Sequence, residues 1–225
     1  YKEVFDIGMK IADEVGSDLV VATDPDAARV GVVTRTPDGS FTTITGNQMG
    51  ALLMDYILTA YEETNTMPEI PFAVKTIVTT ELAAKICEAH GVKMHNVLTG
   101  FKFIGEVIKD YEKKGYGTFV LGFEESYGYL KGTYARDKDA VVASMLIVEM
   151  ASYYRKQGLT LLQRMEQLYQ EQTESIHVAG YGFVVGSGKP IDKVVEKDGK
   201  TITYVYYSSN GEYKQASDEV TNASD

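Results

Sequence analysis

Residues 71–123 read PFAVKTIVTTELAAKICEAHGVKMHNVLTGFKFIGEVIKDYEKKGYGTFVLGF, a stretch in which short apolar runs alternate with longer amphipathic segments. Three runs have the length and composition of strands: 73–78, 92–98 and 118–123. Two segments have the apolar spacing of helices: 81–90, with Thr80 as a candidate N-cap, and 101–114. Strands that alternate with helices predict a parallel sheet, and ligands of such sheets bind beyond the carboxyl ends of the strands.

A smaller unit precedes this stretch. Its predicted elements are a helix at 4–15, strands at 19–22, 30–34 and 41–44, and a helix at 46–61. The turn sequence Pro37-Asp38-Gly39 joins the second and third of these strands as a hairpin. Because the polar stretch 62–68 follows, we expect a first domain at 1–63 and a second at 64–175.

The C-terminal part begins with two more helices, predicted at 138–157 and 160–172, with Thr160 as the N-cap of the second. From 176 to 225 the composition shifts to Gly, Ser, Val and Tyr, with strands predicted at 178–185 and 201–207. We assign no functional role to residues 176–225. The predicted fold class is therefore α/β: two successive α/β units with mixed or parallel sheets flanked by helices, plus a β-rich C-terminal tail.

Composition restricts the class of partner. The 225 residues carry a net charge of −10 and no dense Lys/Arg run, so we expect neither nucleic acid nor a membrane as partner. The single cysteine, Cys87, excludes an internal disulfide and is interpreted as a buried thiol, which suits a cytoplasmic protein. No window is long and apolar enough for a membrane span, and the N-terminus resembles neither a signal peptide nor a natural start, so we expect a longer parent protein.

The loop after the first strand contains a cluster of candidate functional residues. Residues 23–31 read TDPDAARVG, which places Asp24, Asp26 and Arg29 at the end of a buried strand. Two carboxylates in one stiff turn can converge on a hard divalent cation, while an arginine remains for an anionic ligand. Magnesium with a phosphorylated substrate is the first hypothesis, and ordinary turn chemistry is the alternative.

Three other polar loops supply complementary groups. Lys102, after Thr99-Gly100, lies at the start of a helix whose free N–H groups favour phosphate; a solvated surface lysine is the alternative. Glu124 and Ser126 could bind sugar hydroxyls, and Glu125 is expected to point away from Glu124. The sequence RDKD at 136–139 either caps the next helix or binds ligand.

With these motifs in order, the chain resembles the α-D-phosphohexomutases, and within them the phosphoglucomutase-2/phosphopentomutase branch, over about residues 1–174. The stretches that carry the resemblance are TDPDAARVG (23–31), TGNQ (45–48), KTIVTT (75–80), TGFKFIG (99–105), GFEESYG (122–128) and RDKDA (136–140). Each stretch alone is weak evidence for the family. The occurrence of all the stretches in this order is specific evidence for it. The resemblance implies the end of a metal-loop domain followed by a sugar-recognition domain.

The resemblance also implies roles for individual residues. Asp24 and Asp26 correspond to ligands of Mg²⁺, and Arg29 to a catalytic or phosphoserine contact. Lys102 corresponds to a general acid/base or phosphate-binding lysine. The substrate contacts it implies are Gly100, Lys102, Glu124, Ser126, Arg136 and Lys138. The implied ligands are hexose phosphates: glucose 1-phosphate, glucose 6-phosphate and glucose 1,6-bisphosphate.

Three departures accompany the resemblance. Ala28 stands where the family has a third aspartate, so one magnesium ligand is missing. Neither a phosphoserine loop nor a phosphate-clamp motif occurs in the chain, so we expect it to be inactive alone. A non-catalytic sugar-phosphate-binding or regulatory protein is the alternative function, as is a phosphopentomutase or phosphomannomutase activity of the parent.

Overall fold

The computed structural model describes residues 2–176, 191–194, 201–207 and 213–219. A short 3₁₀ helix at Lys2–Phe5 precedes the following elements: α1 (Asp6–Val15), β1 (Leu19–Thr23), β2 (Val30–Arg35), β3 (Phe41–Ile44), α2 (Gly46–Glu63), β4 (Pro71–Thr76), α3 (Glu81–Ala89), β5 (Lys93–Val97), α4 (Phe101–Lys114), β6 (Thr118–Glu124), β7 (Gly128–Leu130), α5 (Ala140–Lys156), α6 (Leu161–Ile176), β8 (Ile191–Val194), β9 (Thr201–Tyr207) and β10 (Tyr213–Glu219).

The first sheet is antiparallel, in the order β1-β2-β3, with Val21 opposite Val32. The predicted hairpin between β2 and β3 is confirmed. Ala12 of helix α1 and Phe5, which precedes the helix, are buried in a small core with Val33 and Phe41. It ends, as predicted, at Gly16, whose left-handed conformation (φ 72°) suits glycine.

The second sheet has the order β5-β4-β6-β7. Strands β4, β5 and β6 are parallel, which confirms the prediction from residues 71–123. Strand β7 was not predicted; it turns back antiparallel to β6, with Glu124 opposite Gly128. Helix α4 covers one face with Ile104 and Ile108, so the sheet is the middle layer of an α/β/α arrangement.

The other face of this sheet is covered by α2, α3, α5 and α6, which share the main apolar core. Helix α2 contacts α3, α5, α6 and β6, although the expected boundary at 63/64 assigned it to the first unit. Leu52, Leu53 and Leu58 of this helix are fully buried in the main core, which also includes Val30 and Ile44 of the first sheet. Helix α2 therefore packs in the main core together with α3, α5 and α6.

Local capping places the helix ends. Thr80 caps α3, since its Oγ1 accepts the N–H of Leu82 at 3.1 Å. Thr160 Oγ1 likewise accepts the N–H of Gln163, also at 3.1 Å, as predicted. Helix α5 begins at Ala140 rather than 138 because Asp139 Oδ1 accepts the N–H groups of Val141 and Val142.

Cys87 is buried as interpreted, and burial raises the pKa of its thiol to about 12. Strands β8, β9 and β10 form a third, antiparallel sheet, which confirms the strand predicted at 201–207. The strand predicted at 178–185 lies outside the described residues. Within the described ranges, every helix is too short or too polar to cross a bilayer.

Candidate functional site

Backbone hydrogen bonds join three of the polar loops. The N–H of Val30, just after the loop at 24–29, donates to Tyr127 O at 3.1 Å, and Arg29 forms an isolated antiparallel bridge with Gly128. The N–H of Ala140 donates to Ala27 O at 2.9 Å. The loop after β1, the turn after β6 and the start of α5 therefore form one continuous surface.

Gly128 is the point where these loops meet. A Cβ on it would lie 2.4 Å from Lys138 Cδ, so a larger residue would displace the lysine side chain from this position. The Lys138 ammonium lies 5.3 Å from the centroid of the Phe101 ring and 2.6 Å from Asp137 Oδ1. Lys138 thus reaches from the segment before α5 toward the first turn of α4, while the Arg29 backbone pairs with the same glycine.

Asp24 organises the loop after β1. Its Oδ1 accepts the N–H groups of Ala28 and Arg29, both at 2.9 Å, and its Oδ2 accepts Arg29 Nε at 2.9 Å. The backbone and side-chain hydrogen bonds from Arg29 lower the pKa of this carboxyl to about 2. Asp24 is therefore ionised and already surrounded by donors of its own loop.

The same loop fits a magnesium site only in part. Asp26 is exposed, Ala28 contributes an N–H to Asp24 instead of a carboxylate, and the Arg29 guanidinium occupies Oδ2. In the part of the chain that the structure describes, no three His, Cys, Asp or Glu side chains are grouped so that they could hold a metal ion. The residues present do not make a magnesium site on their own.

Glu124 connects the turn after β6 to the turn before α4. It is buried, with 7% exposure, and its Oε1 accepts the N–H of Gly100 at 2.9 Å. Gly100 has φ 123°, a conformation that side-chain-bearing residues rarely adopt. This bond fixes the turn that precedes α4, where Lys102 is exposed and its ammonium lies 4.7 Å from the Phe103 ring centroid.

Glu125 points the other way, as predicted. Its Oε2 lies 3.2 Å from Thr79 Oγ1 and 3.4 Å from Thr76 Oγ1, at the end of β4. Beneath Thr79, the fully buried Lys75 donates to the Thr79 carbonyl at 3.0 Å and to Glu81 Oε1 at 2.9 Å. Glu125 therefore anchors the turn to the sheet and leaves Ser126 exposed at its tip.

Arg136 lies apart from the groups that the structure brings together. Its guanidinium donates to the Glu112 carboxylate, two turns beyond Gly105 on α4, and to the Thr133 carbonyl. Its backbone is close to α4, since a Cβ on Gly105 would lie 3.0 Å from Arg136 O. Among the predicted cations in the described residues, Arg29 and Lys138 lie on the joined loops, and Lys102 lies on α4, which Glu124 connects to the turn after β6.

Two features of the site were missed from the sequence. Ala27 (φ 55°) and Tyr127 (φ 69°) both adopt the left-handed conformation without being glycine. Such conformations cost free energy and persist where the surrounding structure imposes them. Gly46, whose added Cβ would lie 2.0 Å from Glu125 O, was also not recognised as a close contact of the turn.

Fold and site together define an α/β/α domain that presents carboxylates and cations from loops at the carboxyl ends of its parallel strands. Residues 45–172, more than half of the chain, match the family described as phosphoglucomutase/phosphomannomutase, alpha/beta/alpha domain III. The chain belongs to the phosphoglucomutase/phosphomannomutase family. The matched range begins at the N-cap of α2, in agreement with the packing of that helix.

Curated relatives include the phosphoglucomutases of Staphylococcus saprophyticus and Staphylococcus aureus strain N315. Each is 38% identical over 166 residues, which is 74% of this chain and 30% or 29% of the relative. The chain therefore spans about 30% of the length of these relatives.

Two solved structures have the same fold. One is the open form of the phosphoglucomutase parafusin from Paramecium, with 17% identity and a TM-score of 0.55 over 94% of this chain and 40% of that one. The other is a phosphoglucomutase/phosphomannomutase family protein from Burkholderia thailandensis, with 15% identity and a TM-score of 0.55 over 99% of this chain and 47% of that one.

Proposed function

We propose that this chain is the metal-loop and sugar-recognition part of a phosphohexomutase. The parent would interconvert glucose 1-phosphate and glucose 6-phosphate through a phosphoserine and a bisphosphorylated sugar. Family membership and the names of the curated relatives support this reaction. The phosphoserine and phosphate-clamp domains would lie in the rest of the parent, because the chain spans about 30% of those relatives.

The backbone connections at Gly128 are the observation that carries the proposal. They bring a sugar-recognition turn and two cations, Arg29 and Lys138, to one surface. Glu124 and Ser126 would accept and donate hydrogen bonds to sugar hydroxyls. Lys102, at the first turn of α4, would contact phosphate together with the free N–H groups of that helix or transfer a proton.

Phosphoryl transfer is catalysed mainly by positioning and by stabilising charge on the phosphoryl oxygens. Arg29, Lys102 and Lys138 would stabilise the negative charge on a phosphate group of the bisphosphorylated sugar. They would do so while the sugar reorients between the two phosphoryl transfers. The nucleophile itself would come from the phosphoserine domain. The isolated chain is therefore expected to bind sugar phosphates and to have no mutase activity.

Amide chemical shifts test the assigned site. In a titration of the ¹⁵N-labelled chain with glucose 1,6-bisphosphate, we expect shifts at 99–102 and 124–128. Glu124→Gln retains an acceptor for the Gly100 N–H but removes the charge, and with Ser126→Ala it is expected to weaken binding about tenfold or more. Glu106→Gln, at an exposed position of α4, is the matched control. An undiminished response in the double variant would place the sugar elsewhere.

A non-catalytic sugar-phosphate-binding protein is the second candidate, and Ala28 favours it because a magnesium ligand of the family is lost. A coupled mutase assay with glucose 1-phosphate and glucose 1,6-bisphosphate separates the two. Activity in the longest product of the source gene, and none in this chain, supports the mutase. No activity in either, with retained binding, supports the second candidate.

A further inference from the structure

The hydrogen bonds on Asp24 bear on cation binding by the loop at 24–29. An ionised carboxylate has about four acceptor positions, and the loop's own donors fill three of those on Asp24. The backbone N–H groups of Ala28 and Arg29 occupy Oδ1, and Arg29 Nε occupies one side of Oδ2. One position, on Oδ2, remains for a metal ion.

A metal ion at that position would lie close to a guanidinium. A Mg²⁺–O distance of about 2.1 Å and the Nε–Oδ2 distance of 2.9 Å place the two cations at most about 5 Å apart. Like charges at that distance repel each other strongly, even at a partly exposed site. Asp26 offsets part of this repulsion, since its charge also acts on Arg29, but Ala28 adds no further negative charge.

The loop does not need a metal ion to keep its shape. The Asp24 N–H donates to Arg29 O at 3.1 Å, and the Ala27 N–H donates to Asp24 O at 3.0 Å. The neighbouring unit holds the same segment through Ala140 and Tyr127. These backbone bonds, like those to Asp24 Oδ1, hold the loop through protein groups.

We propose that Arg29 is the resident cation of this loop: its guanidinium holds the Asp24 carboxylate and competes with any divalent cation for it. The chain would then bind Mg²⁺ weakly, and removal of the Arg29 charge would strengthen binding. The proposal concerns the binding of divalent cations by the chain without sugar. Its test is therefore independent of the proposed function.

Manganese serves as the probe, because free Mn²⁺ is measured directly by its electron paramagnetic resonance signal. At fixed ionic strength, the chain is expected to bind Mn²⁺ with a Kd weaker than about 1 mM. Arg29→Gln is expected to tighten binding about threefold or more, and Ala28→Asp about tenfold or more. Arg35→Gln, which removes a cation paired with Asp13 and Asp18, is expected to change the Kd less than about twofold.

Two results would overturn the proposal. One is an Arg29→Gln chain that binds Mn²⁺ no more tightly than the native chain or the Arg35→Gln control. The other is submillimolar binding by the native chain. A measurement on the native chain supports the same test without a variant: the Arg29 Nε–H resonance is expected to stay unchanged below about 1 mM Mg²⁺ and to shift only above it, as the metal ion displaces the guanidinium from Asp24 Oδ2.

Discussion

Replacement of Asp55 by alanine tests whether one buried ion pair holds three helices together. Asp55, on α2, is 5% exposed and accepts two bonds from the Arg164 guanidinium on α6, at 2.9 and 3.0 Å. The Tyr154 hydroxyl, on α5, donates to the same carboxylate at 2.7 Å. Asp55→Ala leaves both partners without this acceptor.

The structure sets the expected magnitude. Removal of one partner from a buried ion pair costs about 3–5 kcal/mol, because a charge remains buried without compensation. Arg164 keeps a second partner, Glu171, at 2.9 Å, so we expect the lower end, about 3 kcal/mol. For a chain of 225 residues this loss corresponds to a fall in Tm of about 6–10 °C.

Urea denaturation followed by far-ultraviolet circular dichroism measures the free energy of unfolding, and a thermal scan measures Tm. Lys85→Met is the control: its pair with Glu88 is 46% and 72% exposed, so a loss of about 0.5 kcal/mol or less is expected. If Asp55→Ala loses less than about 1 kcal/mol, or no more than the control, the assignment of stability to this ion pair is refuted.

Two further predictions concern the site and the sheet edge. In Gly46→Ala, the new Cβ would lie 2.0 Å from Glu125 O, so we expect a loss of about 1–3 kcal/mol of unfolding free energy and weaker glucose 1,6-bisphosphate shifts; an unchanged titration would contradict this. Burial, with Lys93 and Lys114, lowers the pKa of His95 below its ordinary 6.5. The unfolded chain therefore takes up this proton first, so Tm is expected to fall as the pH drops from 7 to 5, and less so in His95→Gln.

Features set by neighbours in the chain were predictable from the sequence. Thr80 and Thr160 cap helices because a hydroxyl reaches N–H groups two or three residues ahead. The parallel sheet followed from the alternation of strands and helices within residues 71–123. In both cases the deciding interactions or patterns lie within a short stretch of sequence.

Features set by distant partners were not predictable. The pairing of Arg136 with Glu112, 24 residues earlier, is one such feature, since nothing in the sequence around Arg136 identifies this partner. Glu125 finds its threonine partners 46 and 49 residues away, and nothing in the local sequence identifies them. Helix α2 has a pattern that fits either unit, and only its packing on α3 and β6 decides between them.

The bridge between Arg29 and Gly128 joins the two halves of the chain, and we expect it to couple their stabilities. A ligand that orders the turn at 124–128 also stabilises the loop at 24–29, even if it touches only the turn, because the Val30 N–H bond to Tyr127 is shared by both. Such coupling is reciprocal: an anion bound to Arg29 would raise the affinity of the turn for sugar by the same factor. The hairpin sheet and the α/β/α unit therefore respond to ligands as one cooperative body.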